Sequence, residues 1–139
     1  MNIANYKSCE ITMSVPFHEL DPLHMVWHGN YLKYFDMARS ELFTNSGVDL
    51  FEYYKKTSYL FPITKTATKH IVSLRYRDKF TCQATCVEAQ YKIVIDFKIR
   101  LAKDNKICAK GRSEQVAVNY PEMEMMFEIP QEIRTALGF

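Results

Sequence analysis

One stretch of this chain has a long helical period and is apolar around most of its circumference, and it constrains the fold more than any other feature. Tyr31, Tyr34, Phe35, Ala38 and Leu42 fall at helical spacing through Tyr31 to Phe43, while Leu32, Met37 and Phe43 widen the apolar surface beyond a single stripe. Lys33, Asp36, Arg39 and Glu41 leave only a narrow polar strip. Such a helix is expected to be wrapped on most sides by the rest of the chain. Gly47 suits a C-cap, and Asp49 to Lys56 predict a short second helix that Pro62 stops.

The other elements read as strands. Ile11, Met13 and Val15 alternate with Thr12 and Ser14, which predicts a strand with one buried face ahead of the helix. After it, Val72, Leu74 and Tyr76 alternate with polar partners, and a further run lies near Phe80 to Glu88. Ile93, Ile95, Phe97, Ile99 and Leu101 against Asp96, Lys98 and Arg100 give the cleanest half-solvated antiparallel strand. Lys103-Asp104-Asn105-Lys106 carries hairpin residues, because Asp and Asn tolerate left-handed backbone. The last strand runs through Val118; its apolar positions change parity between Ala109 and Val116, which predicts a bulge near Gly111. One strand, one apolar helix and then about four strands is an α+β order. The economical packing is a curved, roughly five-stranded antiparallel sheet around the helix, in a single domain spanning 1–139.

Composition narrows the partners. Eighteen Lys and Arg against sixteen Asp and Glu leave a formal charge of +2, far from the basic stripe that nucleic-acid binding needs. Cys9, Cys82, Cys86 and Cys108 form no CxxC pair, so reduced thiols packed as small apolar side chains are expected, which suits the cytoplasm. Met1 to Ser14 lacks the basic and apolar regions of a secretory leader, and no window reaches the ~18 apolar residues of a membrane span.

Between the first strand and the helix, the segment from Phe17 to Tyr31 gathers His18, His24, His28, Glu19 and Asp21. The first turn of a helix has backbone N–H groups without intrahelical partners and a partial positive charge, so the Trp27 to Tyr31 region can polarise a carbonyl. A carboxylate on the preceding loop can attack that carbonyl or direct a water at it. Those are the two parts of an acyl-transfer site.

Asp21-Pro22, then Val26-Trp27-His28-Gly29-Asn30-Tyr31 and the helix ending Arg39-Ser40-Glu41-Leu42-Phe43, resembles the 4-hydroxybenzoyl-CoA thioesterase family of hot-dog fold enzymes and its Tol-Pal-associated acyl-CoA thioesterase branch. The resemblance implies hydrolysis of an acyl thioester, carried by coenzyme A or an acyl carrier protein, to free acid and thiol. It implies Asp21 as nucleophile or general base, a helix start at Trp27-His28 that polarises the carbonyl, and His28 as assistant. Trp27, Gly29, Asn30 and Tyr31 at that helix start are the expected substrate contacts, with the acyl chain against aromatics such as Trp27, Tyr31 or Tyr34. The resemblance also implies a homodimer that continues the sheet, with a homotetramer as the further step, and no cofactor beyond the coenzyme A of the substrate. Two positions depart from the family pattern. Phe17 stands where the branch commonly has Tyr, and His24 where the family usually has Gly.

Other readings attach to the same residues. Asp21 before Pro22 is also a good turn-forming residue. Pro22-Leu23-His24 resembles the Asn-Pro-Leu-His of hot-dog enoyl-CoA hydratases, with Glu19 at the spacing of their catalytic acid. A hot-dog domain that binds acyl-CoA without turning it over is a third reading. His18, His24 and His28 lack the spacing of a recognised zinc site, so no metal is expected. Lys65, Lys69, His70, Arg75, Arg77 and Lys79 form a basic cluster that suits a solvated face or the phosphates of coenzyme A.

Overall fold

The computed structural model describes residues 5–139, so the first four positions of the expected domain, and of the segment from Met1 to Ser14, lie outside the described residues. In chain order the elements are β1 (Ser8–Ser14), α1 (Asn30–Asn45), α2 (Leu50–Thr57), β2 (Tyr59–Leu60), β3 (Ile63–His70), β4 (Lys79–Glu88), β5 (Ile93–Leu101), β6 (Ile107–Gln115), β7 (Val118–Asn119), β8 (Glu124–Met125) and α3 (Gln131–Ala136). Five strands form one sheet in the order β1-β4-β5-β6-β3, with every neighbour antiparallel. The short β2, β7 and β8 make a second sheet of three. This is the expected hot-dog arrangement of a five-stranded antiparallel sheet carrying one long helix.

The alternation of β4 and β5 explains where the core sits. Phe80, Cys82, Ala84 and Cys86 on β4, and Ile93, Ile95, Phe97 and Ile99 on β5, all point inward and are buried. Burial pushes the Cys82 and Cys86 thiols up to about 12, which suits inert packing thiols. From α1, Phe35 stacks on Phe97 with ring centroids 4.5 Å apart and Tyr34 meets Phe80 at 4.9 Å. At the end of the β5–β6 hairpin, Asn105 takes the left-handed backbone (φ 62°) that its sequence promised. Asp49 caps α2, its carboxylate accepting from the N–H groups of Phe51 and Glu52 at 3.0 and 3.1 Å.

The helix is less enclosed than its composition suggests. Tyr31, Tyr34, Phe35, Ala38, Arg39, Leu42 and Phe43 are buried, but Leu32 and Met37 are 43% and 46% exposed and share an outer face with Lys33, Asp36, Ser40 and Glu41. The sheet therefore covers one side of α1 and leaves the other open. Arg39, read as part of the polar strip, is instead buried; it pairs with Asp36 and donates to the Ser113 hydroxyl at 2.9 Å.

Two strand expectations are corrected. Val72, Leu74 and Tyr76 lie in the loop between β3 and β4, and the strand is upstream, at Ile63–His70. That segment is an edge strand, mostly exposed, so it lacks the apolar alternation that signals a half-buried one. Leu74 alternates because its side chain plugs the core as the loop crosses the end of the sheet. The bulge expected near Gly111 lies at Cys108, where the β5–β6 register steps from Ile99↔Ala109 to Arg100↔Ile107. Through Gly111 the inward row Ala109, Gly111, Ser113, Gln115 keeps its parity. Glycine is required there because a Cβ would approach the Phe35 ring to within 2.5 Å. Ser113 is inward to meet Arg39, and Gln115 to donate to the Phe61 carbonyl at 2.9 Å.

Candidate active site

The site begins as a tight turn. Leu20 and Val26 pair as an antiparallel bridge, the Asp21 N–H donates to the Met25 carbonyl at 2.8 Å, and His24 N–H to the Asp21 carbonyl at 3.0 Å. Within that turn the Asp21 carboxylate accepts through Oδ1 from the N–H groups of Leu23 (2.8 Å) and Met25 (3.3 Å). The turn-forming reading of Asp21 is therefore real, and it uses one oxygen; Oδ2 takes no hydrogen bond among the described residues.

The loop before β4 braces this turn from outside. Met25 bridges Arg75, the Val26 N–H donates to the Leu74 carbonyl at 2.9 Å, and the Leu74 N–H donates to the Tyr31 hydroxyl at 3.3 Å. Tyr31 is only 3% exposed and packs edge-on against His70, so its side chain serves the scaffold rather than a ligand. Asn30 is committed likewise, its side-chain amide donating to the Glu19 carbonyl at 3.1 Å. Both side chains of these expected substrate contacts are thus engaged within the fold.

At the start of α1, Gly29 is the N-cap residue and provides no side-chain cap. The N–H groups of Asn30 and Tyr31 are taken by the carbonyls of Trp27 and His28, but those of His28 and Gly29 donate to no described protein group. The Trp27 indole lies across Gly29 and beside the exposed His28 imidazole, with ring centroids 5.3 Å apart. Phe17, in the place of the family Tyr, is exposed and packs edge-on against Tyr76 at 5.7 Å. Leu23, within the turn, and Trp27, at the start of the helix, are exposed as well.

Glu19 is the residue that sequence reasoning misplaced. It is 7% exposed, and its carboxylate accepts from the Tyr34 hydroxyl and the Lys33 ammonium on α1 rather than meeting His24. Burial opposes its charge, but the hydrogen bonds from Lys33 and Tyr34 outweigh burial and hold its carboxyl below the ordinary value. Burial and the adjacent carboxylate push the Tyr34 hydroxyl far up, so that it donates. His24 stands exposed at the tip of the turn, and no hydrogen bond or ion pair joins it to Glu19; the hydratase-like pair does not form. Helical spacing gives the signal that was available: Lys33 and Tyr34 lie one turn beyond Asn30, on the side facing the loop. The basic cluster divides between the edge strand, with Lys65, Lys69 and His70, and the β3–β4 loop with Arg75 and Arg77 up to Lys79.

His24 adopts φ 63°, the left-handed backbone that glycine, the usual family residue here, takes without cost. The turn therefore holds a strained residue. His24→Gly is expected to raise stability by about 0.5–1 kcal/mol, because the relieved strain exceeds the extra freedom of glycine in the unfolded chain. Chemical denaturation at neutral pH checks this, with a midpoint at or below that of the wild type contradicting it.

The five-stranded antiparallel sheet carrying one long helix is a hot-dog fold, and similarity to known proteins agrees. The family model described as the thioesterase-like superfamily matches residues 15–137, and the chain belongs to that superfamily. A Synechocystis protein named an esterase is 26% identical over 136 residues, which span 92% of this chain and 77% of that protein. The 1,4-dihydroxy-2-naphthoyl-CoA thioesterase of Synechocystis superposes with a TM-score of 0.83 at 16% identity, covering 94% of this chain and 95% of the other. A mutant 4-hydroxybenzoyl-CoA thioesterase complexed with 4-hydroxybenzoyl-CoA gives 0.85 at 15% identity over 95% and 99%. At such identities the likeness establishes the shared fold.

Proposed function

We propose that the chain hydrolyses an acyl thioester to free acid and thiol, with Asp21 as nucleophile or general base and the helix start near His28 polarising the carbonyl. The observation that carries this reading is the Asp21 side chain itself. Oδ1 is pinned by two N–H groups and Oδ2 is open, in a turn whose returning strand leads directly to the unpartnered amides of His28 and Gly29. From Met25, opposite Asp21, to His28 is three residues, no more than about 10 Å of extended chain. An attacking oxygen about 3 Å from the carbonyl carbon and an oxyanion donor about 3 Å beyond the carbonyl oxygen need roughly 7 Å between them, which fits that span.

Membership of the superfamily, together with relatives named for acyl-CoA thioesters, supports a CoA thioester as substrate, with an acyl-carrier-protein thioester presenting the same pantetheine arm. The exposed apolar side chains of Phe17, Leu23, Trp27 and Tyr76 on and around this loop suit an acyl group or that arm. Trp27 and Gly29 keep the substrate-contacting role. Among the described residues no helix is long and apolar enough to cross a membrane, and the cysteines are free, which fits a reducing, cytoplasmic setting. A panel of acetyl-, octanoyl-, palmitoyl- and benzoyl-CoA with the matching carrier-protein thioesters, followed by thiol release, tests the function. Turnover well above background on at least one is expected. Background rates on all, with measurable binding, would favour an acyl-CoA-binding domain.

The protein is further proposed to work as a homodimer, and as a tetramer through association of two dimers. The free edge of β3 and the half-exposed Leu32 and Met37 on α1 ask for a second copy, because an open edge and an uncovered apolar helix face are covered together when the sheet continues into a partner. Light scattering at micromolar concentration is expected to give at least the dimer mass; a monomer would contradict this.

A further inference from the structure

We propose that Glu19 is a positioning residue of this site, holding the Asp21 turn in register with the start of α1; the inference rests on the thioester-hydrolase reading and adds to it a residue that acts through Asp21 and the His28 and Gly29 amides. Glu19 is bonded across the gap with both its backbone and its side chain. Its carbonyl accepts from the Trp27 N–H at 3.0 Å and from the Asn30 side chain at 3.1 Å, and its N–H donates to the Pro16 carbonyl at 3.2 Å. Its carboxylate takes the Tyr34 hydroxyl on one oxygen and the Lys33 ammonium on the other. One residue on, Leu20 pairs with Val26, and the next is Asp21. Four contacts thus tie a single residue to the approach and first turns of α1, and the chain leaving that residue carries the carboxylate.

A buried carboxylate with both oxygens occupied is costly to build and offers nothing to a substrate directly. What it fixes is the rotation of α1 against the turn. If α1 rotated while the turn stayed, the His28 and Gly29 amides would swing away from the carbonyl that Asp21 attacks. Misplacement by about 1 Å is enough to cost about a hundredfold in rate. Lys33 is half exposed, so the pair is anchored chiefly by Tyr34 from within the core. Glu19→Gln keeps the shape and the hydrogen-bonding oxygen but removes the charge that holds both donors, so the register is expected to loosen without the turn unravelling.

The test combines kinetics with amide NMR on the full chain. On the fastest of the four acyl-CoA substrates in the panel, Glu19→Gln is expected to lower kcat about tenfold with KM changed less than about twofold, and Tyr34→Phe to lower kcat about threefold. In 15N spectra the amides of His28, Gly29, Leu23 and Met25 are expected to shift while those in the centre of β5 do not. In the Asp21→Asn background, Glu19→Gln is expected to lower the residual turnover by clearly less than tenfold, because only the part of its effect that passes through the amides remains. A merely stabilising role would instead lower the folded fraction equally in both backgrounds and leave kcat per folded molecule unchanged. Unshifted amides together with wild-type kcat in both Glu19→Gln and Tyr34→Phe would overturn the proposal. If Asp21→Asn keeps full turnover, the assignment of Asp21 fails instead, and if no substrate of the panel is turned over the hydrolase reading fails; the amide shifts still decide whether Glu19 sets the register.

Discussion

Asp21→Asn is expected to lower kcat by about a hundredfold or more, equivalent to about 2.7 kcal/mol of lost transition-state stabilisation. The structure explains why the substitution is clean. The Asn side-chain oxygen can still accept from Leu23 and Met25 as Oδ1 does, so the turn survives and KM changes little. What disappears is the carboxylate oxygen proposed to attack the thioester or take a proton from water. Asp21→Ala removes the turn bonds too, so it is expected to lose both activity and about 1 kcal/mol or more of stability. His28→Ala is expected to cost only about tenfold, because the substitution keeps the unpartnered backbone amide proposed to polarise the carbonyl. Steady-state kinetics with chemical denaturation on the same three variants checks the set. A His28→Ala loss equal to that of Asp21→Asn would move the chemistry to the imidazole.

Phe97→Ala is expected to be the most destabilising single truncation on the sheet, by about 3–5 kcal/mol. Phe97 is fully buried in mid-β5, stacked on Phe35 at 4.5 Å, with the Arg39 guanidinium 5.5 Å from its ring centre. Removing the ring takes the floor from under α1 and leaves Gly111, opposite Phe97 in the ladder, with no side chain to fill the void. For a chain of this size the melting temperature is expected to fall by roughly 10–20 °C. Phe97→Leu retains most of the volume and is expected to lose less than half as much. Differential scanning calorimetry of the pair decides, with near-wild-type melting of Phe97→Ala contradicting the packing described.

Much of this architecture was legible because it repeats. The β5 alternation, the Asp104-Asn105 turn and the Tyr31–Phe43 helix each follow from a period or a turn chemistry that needs no knowledge of the rest of the chain. What failed depends on neighbours distant in sequence. β3 lacks a pattern because one edge has no partner strand, and Leu74 seemed to belong to a strand because one loop residue fills the core. The inward row of β6 looked interrupted because Phe35 requires glycine below it and Arg39 requires a hydroxyl beside it. The outer face of α1 carries Leu32 and Met37, which made the helix look wrapped on most sides from sequence and which the described residues leave half exposed.

For the site, the order carboxylate, turn, helix start was readable from Asp21 to Tyr31. The division of labour within it was not, because it is set by which side of the turn each side chain faces. Asn30 and Tyr31 stand in the motif next to His28 and Gly29, yet they turn inward to Glu19 and Leu74. Glu19 has the spacing of a hydratase acid, yet two donors fifteen residues or so along the chain hold it in the wall of the fold.

The most direct test is a single-turnover experiment in which wild type and Asp21→Asn are each mixed in excess over one acyl-CoA from the panel, with binding of the same compound measured by calorimetry. Wild type is expected to release one equivalent of free thiol and acid, while Asp21→Asn binds within about threefold of the wild-type affinity and releases thiol at least about a hundredfold more slowly. Equal thiol release from both proteins would contradict the assignment of Asp21 as the reacting carboxylate.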